Sequence, residues 1–351
     1  MRTRTILVGL AASLVAGTIA VATSHSSDSP PPVVPDRTAR VVLPQRPVHT
    51  SDPAIDRVLV EGVDPQAAHE ALLEALRRDP AGTLAVLESF LADADPRQEA
   101  TRTVVGALVA AGTPEIQEAL VQLVDARVDD TAFVKLVVPT LGFLAKPTVA
   151  TERAVRALTE DSAPEATRIN AHLTLGVMAS RFGGGDVPRG TAIVEDYAAR
   201  LAAAKTDDER RRWLSVLGNA GTPEAAAAIE AQLATPDPIL RGRALEALRR
   251  VASPDADARL VHALDDGDAR VRGSAAWSLS YRQATPETLH VLLGKLAGER
   301  DEKVATALLD VVWPRRATDP EAVIATVRSV ADGHASAAVR NRARSLLDAK
   351  T

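Results

Sequence analysis

The second half of the chain contains a short proline-centred passage that recurs at a nearly constant interval. The three copies are Gly221-Thr222-Pro223-Glu224, Ser253-Pro254-Asp255-Ala256 and Ala284-Thr285-Pro286-Glu287, and their prolines are 31 and 32 residues apart. Each copy opens a stretch rich in Ala and Leu. A period of roughly 30 to 47 residues is typical of units that cannot bury their apolar faces alone and therefore stack on their neighbours. The period predicts an array of similar stacked units.

The composition restricts what these units are made of. Hydrophobic residues make up 46% of the 351 residues, but aromatic residues only 3%. The core must therefore be built from Ala, Leu and Val, which suits close packing of helices better than sheets. We predict an all-α fold, a right-handed α-α superhelix over residues 58–350.

Helix starts are marked by proline at the first helical position behind a small or polar capping residue. Between these prolines, apolar residues such as Leu72 and Leu76 lie three and four apart, as on one buried helical stripe. Pro139 lies inside an apolar stretch and predicts a kink or break there. The predicted starts are Asp64-Pro65, Asp79-Pro80, Asp95-Pro96, Thr113-Pro114, Ala163-Pro164, Thr222-Pro223, Ser253-Pro254, Thr285-Pro286 and Asp319-Pro320.

A second repeated signal lies in the other helix of each pair. Asp237 precedes Arg241 by four residues, and Asp268 precedes Arg272 by four. An aspartate there caps free amides, and an acid four residues before a base adds a few tenths of a kcal/mol. We therefore expect a cap and an ion pair within each of these two helices. The pattern decays later, since Asp301 is followed at that spacing by Ala305.

The N-terminus has the pattern of an export signal. Arg2 and Arg4 precede an apolar run that ends in small residues, which predicts a signal peptide over residues 1–22 with cleavage before Thr23. An uncleaved membrane anchor is the alternative, because the run is near the short limit for spanning a bilayer. Residues 23–57 are rich in Pro and Ser and predict a disordered linker. We therefore expect a periplasmic or secreted protein, or a membrane-tethered one if the signal is retained.

Catalytic and metal-binding patterns are missing from the sequence. There is no cysteine, and no two of the seven histidines have the i, i+4 spacing of a helical zinc site. His172 is interpreted as a partly buried histidine satisfied by a neighbour, since no companion for a catalytic base is evident. Acidic clusters such as Asp265-Asp266-Gly267-Asp268 do not supply a calcium-loop ligand series and are interpreted as solvated turns. We expect no catalytic residue, no metal and no cofactor.

The strongest run of charge is Arg210-Arg211-Arg212, which follows Asp207, Asp208 and Glu209. Acids before bases are favourable on a helix, so a solvated face is one interpretation, and a docking patch for an acidic partner is the other. The chain carries a net charge of −5, and removal of residues 1–22, which hold two arginines and no acid, leaves −7. Nucleic acid is therefore not an expected partner.

The stretch Arg212 to Pro223, with its core Leu217-Gly218-Asn219-Ala220-Gly221, resembles the helical region of the vitellogenin and large lipid transfer protein family. We assign residues 58–283 to this resemblance and residues 284–350 to further HEAT-like units. Asn219 or Gly221 can take the left-handed turn that ends one helix before Thr222 caps the next, so the motif has a purely structural interpretation too. In that family, as the resemblance implies, the helical scaffold meets partner proteins and supports a lipid cavity lined by β-sheets. This sequence has no β-rich stretch for those sheets.

The sequence therefore predicts an exported, non-enzymatic HEAT-repeat scaffold that binds a protein partner. Stacked helix pairs expose a long surface that usually holds peptides or partner domains. Lipid transport or lipoprotein handling is the alternative, and it depends on the resemblance alone.

Overall fold

A computed structural model describes residues 53–59, 64–182, 187–251 and 253–348. The predicted signal peptide, and the predicted linker up to residue 52, lie outside the described residues. Within the described ranges all regular secondary structure is helical, so the all-α prediction is confirmed. No helix in these ranges combines the length and the apolar character needed to cross a bilayer.

The described chain forms eighteen α-helices, and a single turn of 3₁₀-helix follows directly on α11, α13 and α16. The α-helices are α1 (Pro53–Val58), α2 (Pro65–Arg78), α3 (Pro80–Asp93), α4 (Glu99–Ala111), α5 (Pro114–Ala126), α6 (Thr131–Leu141), α7 (Val149–Ala157), α8 (Glu165–Ala179), α9 (Val187–Ala203), α10 (Asp207–Ala220), α11 (Pro223–Glu230), α12 (Pro238–Leu248), α13 (Pro254–His262), α14 (Ala269–Ser280), α15 (Pro286–Gly298), α16 (Glu302–Val312), α17 (Pro320–Gly333) and α18 (Ala337–Asp348).

The helices from α2 onward are arranged in two layers. The even-numbered helices pack side by side in chain order, from α2 on α4 to α16 on α18, and form the even layer. The odd-numbered helices from α3 to α17 form the odd layer, whose neighbours touch less extensively. Each helix also packs on the next one in sequence, so one continuous apolar core runs between the layers. This is the stacked array that the repeat period predicts.

Most of the predicted helix starts are confirmed. Pro65, Pro80, Pro114, Pro223, Pro254, Pro286 and Pro320 each open a helix, and Pro164 is the N-cap of α8. The prediction for Asp95-Pro96 is wrong, because α4 begins only at Glu99. Asp95 instead accepts a hydrogen bond from the amide of Arg97, which closes a local turn that competes with the helix. The break predicted at Pro139 is limited to the helix end, since Pro139 lies in the last turn of α6 and its carbonyl accepts from Gly142.

The predicted start of the array at residue 58 is also wrong. Helix α1 occupies Pro53–Val58 and packs on α2, with Ile55 and Val58 buried in the core. Two apolar side chains one turn apart were enough to bring the segment onto the array, although it borders a proline-rich stretch. The helical region therefore includes residues 53–57, which the sequence assigned to the linker.

The even layer is held together by very close contacts at glycines. A methyl group built on Gly176 of α8 would lie 2.4 Å from the carbonyl oxygen of Val216 in α10. One built on Gly218 of α10 would lie 2.7 Å from the Cα of Ala247 in α12. Only a residue without a Cβ allows these backbones to approach so closely. The glycines therefore set the spacing between successive units in this layer.

The predicted ion pairs within single helices are wrong, whereas the caps are confirmed. Asp237 caps α12 by accepting from the amide of Ile239, and Asp268 caps α14 by accepting from the amide of Arg270. Because each aspartate is occupied in this way, the arginine four residues later bonds elsewhere.

These two arginines connect consecutive units. Arg241 donates to both carboxylate oxygens of Asp266, at 3.0 and 2.9 Å, in the turn before α14. Arg272 repeats the arrangement with Glu299, at 2.8 and 2.9 Å, in the turn before α16. Ala305 occupies the equivalent place in α16 and cannot continue the series. Bidentate pairing fixes both distance and orientation, so the arginines set the register between units.

The opposite ends of the even-layer helices are completed by a second set of arginines. Arg282, in the turn before α15, donates to the carbonyls of Val251 and Ser253 after α12. Arg315, after α16, donates to the carbonyls of Leu279 and Arg282 at the end of α14. The last carbonyls of a helix have no intrahelical partner, and these side chains satisfy them.

Candidate functional site

Two large aromatic side chains on the even layer are exposed, although most of the array presents small or charged groups. Trp277 on α14 is 42% exposed and Tyr281, which caps the same helix, is 55% exposed. They are the only aromatic residues among the large exposed hydrophobic side chains of the described chain. In a chain so poor in aromatic residues, this placement marks a candidate contact surface.

The periodicity of α14 explains why Trp277 points outward. Val271, Ala275 and Leu279 follow one another at four-residue spacing and are buried between the layers. Trp277 lies midway between two of them, and two residues correspond to about 200° around a helix, so it falls on the opposite face. This signal was present in the sequence, but the sequence analysis did not select Trp277 or Tyr281.

The two rings and an arginine form one cluster, which we name the aromatic patch: Trp277, Tyr281 and Arg249. The ring centroids of Trp277 and Tyr281 are 4.8 Å apart, and their planes meet at 63°, an edge-on contact. The guanidinium carbon of Arg249, from the end of α12, lies 5.5 Å from the centroid of Trp277. Burial is the main cause that lowers the pKa of Arg249, but a guanidinium stays protonated at neutral pH. The patch therefore combines an apolar surface with a fixed positive charge.

Polar groups border the patch along α12. Glu246 accepts from Ser274 of α14 at 3.0 Å through one carboxylate oxygen, and its other oxygen pairs with Arg243 at 2.7 Å. Ile239, one turn before Arg243, is 44% exposed on the same face. These contacts fix the relative positions of α12 and α14, so the patch is held rigid before any partner binds.

The predicted docking residues Arg210, Arg211 and Arg212 lie on α10, the even-layer helix that precedes α12. Arg210 pairs with Asp207 at 2.8 Å, and Arg211 pairs with Asp208. Arg212 is directed toward the ring of Trp213, whose centroid is 5.8 Å from the guanidinium carbon. The acids one turn earlier thus neutralise two of the three charges, as a solvated helical face requires, and the docking patch stays a prediction.

The motif that resembles the lipid transfer family has a structural explanation at each position. Gly221 adopts φ of +60° and its amide donates to the carbonyl of Leu217, which ends α10 in a left-handed turn. Gly218 makes the close contact with Ala247 described above. Asn219 is buried at the same helix end. Of the two residues considered for the left-handed position, the structure selects Gly221.

His172 has a neighbour that satisfies it, so the interpretation of this residue is confirmed. Its Nδ1 lies 2.7 Å from the hydroxyl of Tyr197, and its ring meets that of Trp213 edge-on with centroids 4.9 Å apart. Burial is the main cause that lowers the pKa of His172 to about 4, with the charges of Arg200 and Arg212 acting in the same direction. Burial likewise raises the pKa of Tyr197. The imidazole is therefore neutral at pH 7 and belongs to the core.

Elsewhere in the described ranges, no three His, Asp or Glu side chains converge as metal ligands would. A shallow groove of about 490 Å³ lies between α5 and α7, on the odd layer, and is lined in part by Asp125, Asp129 and Arg153. It contains no histidine.

Comparisons with known proteins agree with the architecture. Residues 194–280 match the family model for HEAT repeats, and this range includes the Leu217–Gly221 motif and the aromatic patch. No curated protein matches the chain in sequence. Among solved structures, Kap121p bound to Nup53p is similar at 14% identity over 84% of this chain and 36% of that one, with a TM-score of 0.40.

Two further structures have similar helical arrays. Human deoxyhypusine hydroxylase in complex with glycerol is 18% identical over 79% of this chain and 98% of that one, with a TM-score of 0.33. An engineered protein is 19% identical over 84% of this chain and 88% of that one, with a TM-score of 0.32. The chain spans little more than a third of the length of Kap121p. Together with the helical layers, the family match identifies the fold as a solenoid of HEAT-type helix pairs.

Proposed function

We propose that this protein is an exported, non-enzymatic HEAT-repeat scaffold that binds a protein partner through the aromatic patch. The observation that carries the proposal is the exposed Trp277–Tyr281 pair, supported from below by Arg249. Export rests on the pattern of residues 1–22, and a retained signal would leave the scaffold tethered to a membrane.

The composition of the patch matches that of interface hot spots. Trp, Tyr and Arg are the residue types whose truncation most often costs 2 kcal/mol or more of binding free energy. Their advantage is large contact area for few rotatable bonds. Arg249 is already held against Trp277, so little of its conformational entropy remains to be lost when a partner binds.

The chemistry of the described chain favours binding over reaction. The one buried histidine is neutral and hydrogen-bonded, and the arginines of the unit junctions are engaged in structural pairs. The net charge of −7 after removal of residues 1–22 disfavours nucleic acid. A protein segment that is apolar and carries an acidic group satisfies both the aromatic rings and the charge of Arg249. The charges on Arg210, Arg211 and Arg212 would extend such a surface along the even layer.

A capture experiment with three versions of the chain tests this proposal. The wild type, W277A/Y281A and the control V291A, which removes an exposed apolar side chain from the odd-layer helix α15, are crosslinked in the native host and their partners identified. The identified partner is then purified and its dissociation constant measured for each version. We expect W277A/Y281A to weaken binding at least 30-fold, about 2 kcal/mol, and V291A to leave it unchanged. Equal affinity of all three versions would refute the assignment of the surface.

Lipid handling is the second candidate, and the residues Arg212 to Pro223 are what favours it. Because Gly218 and Gly221 already have structural roles, the motif does not by itself require a lipid. Native mass spectrometry after gentle extraction separates the two functions. Co-purifying lipid, together with a lower melting temperature after its removal, would support lipid handling over the protein scaffold.

A further inference from the structure

The groove between α5 and α7 has a lining that fits one particular kind of peptide. Its floor is formed by small apolar side chains, Ala150, Ala154 and Ala157. Asp125 and Asp129 stand at its rim, both exposed and without an ion pair. Arg153 is the one base that lines the groove. A cationic segment with apolar residues of moderate size is complementary to this lining.

The chain itself contains such a segment just ahead of the array. Residues 37–46 read Arg-Thr-Ala-Arg-Val-Val-Leu-Pro-Gln-Arg, with three arginines and no acid. Val41, Val42 and Leu43 follow directly on Arg40, so the apolar residues and the charge are adjacent, as they are in the groove. The flanking aspartates, Asp36 and Asp52, lie outside this basic stretch.

The length of chain between the segment and the array is sufficient for docking. From Pro44 to Pro53, where α1 begins, an extended proline-rich chain covers about 28 Å at roughly 3.1 Å per residue. Helix α1 packs on α2 at the start of the array, and α3, α5 and α7 follow one another in the odd layer. At about 8–10 Å per helix spacing, the groove is about 20–30 Å from α3. The tether therefore reaches the groove without strain.

We propose that the basic segment Arg37–Arg46 docks in the groove between α5 and α7 of the same chain, with Arg37 and Arg40 on Asp125 and Asp129 and the Val-Val-Leu run on the alanine floor. A short tether gives an effective concentration of about 1 mM, so a site with an intrinsic Kd of about 0.1 mM is about 90% occupied. Docking there directs the linker along the odd layer and leaves the aromatic patch on the even layer open. The inference does not depend on the proposed function of that patch.

Disulfide crosslinking tests the proposal cleanly, because the natural chain has no cysteine. The pair T38C/S162C places one thiol in the basic segment and one at the rim of the groove, where Ser162 is exposed. The control pair T38C/S215C uses an exposed serine on α10 of the even layer. Under mild oxidant, we expect the intramolecular disulfide to form about 5-fold faster or more in T38C/S162C than in the control pair.

Charge reversal identifies the contact. D125K/D129K should reduce crosslinking of T38C/S162C to the control rate, and the addition of R37E/R40E should restore it. The control D255K/D332K makes the same change in charge at exposed sites away from the groove and should have no effect. R37E/R40E alone alters no residue of the array, so its effect is independent of folding. Equal rates for the two cysteine pairs, insensitivity to D125K/D129K, or a disulfide-linked dimer in place of the monomeric product would each overturn the proposal.

Discussion

Substitution of Gly176 by alanine offers the sharpest test of how the units are packed. A methyl group on Gly176 would lie 2.4 Å from the carbonyl oxygen of Val216, and an ordinary contact of this kind is at least 3.4 Å. Helices α8 and α10 must therefore separate by about 1 Å, since the opposing atom belongs to the backbone and cannot rotate away. Overpacking of this kind costs about 3 kcal/mol, and the better helix propensity of alanine returns about 1 kcal/mol. We expect G176A to lower the free energy of unfolding by about 2 kcal/mol.

The same substitution at Gly294 is the matched control. Gly294 lies inside α15, and no atom outside its own helix comes within 4 Å of a Cβ at this position. Alanine there should stabilise the protein by up to about 1 kcal/mol through helix propensity alone. Urea unfolding followed by circular dichroism should therefore separate G176A and G294A by about 3 kcal/mol, in opposite directions from the wild type. If both variants shift together, or if G176A is as stable as the wild type, the close approach of the even-layer helices is not what stabilises the array.

Two more measurements probe the junctions and the core. R241A should lower the free energy of unfolding by about 1–2 kcal/mol at pH 7, because it removes a bidentate link to Asp266. The hydrogen bond from Arg241 is the main cause that lowers the pKa of Asp266, so this stabilisation is present above the ordinary aspartate pKa near 4 and lost below it; the difference between R241A and the wild type should shrink in urea titrations below pH 4. His172, with its pKa lowered to about 4, binds its proton less readily in the folded than in the unfolded chain, so the wild type should lose about 2 kcal/mol between pH 7 and pH 5. H172F, which has no titrating group at this position, should lose less over that range, and parallel pH profiles of the two proteins would contradict the argument.

The local punctuation of the chain was predictable from sequence, because caps and prolines act on neighbouring residues. Pro223, Pro254 and Pro286 open helices as the repeat requires. Pro96 does not, since the side chain of Asp95 closes a turn with the next residues, and a proline after an aspartate is compatible with both outcomes.

Contacts between units were not predictable, because they join residues far apart in sequence. The four-residue spacing of Asp237 and Arg241 suggested an ion pair within one helix, yet Arg241 bonds Asp266, which is 25 residues away. Nothing in a single sequence distinguishes the two partners until the stacking register is known. The position of Trp277 off the buried stripe of α14, in contrast, was available from periodicity and was overlooked.

The arginines at the helix ends also give the array a direction. Arg282 completes the carbonyls that follow α12, and Arg315 completes those of α14, so each unit is finished by residues that come later in the chain. During synthesis on the ribosome, the newest helix pair therefore has open carbonyls until its successor emerges. Cotranslational folding of this protein should advance one unit behind the emerging chain, and a nascent chain halted just before Arg282 should be more readily cut by protease at α12 than one halted just after α15 has emerged.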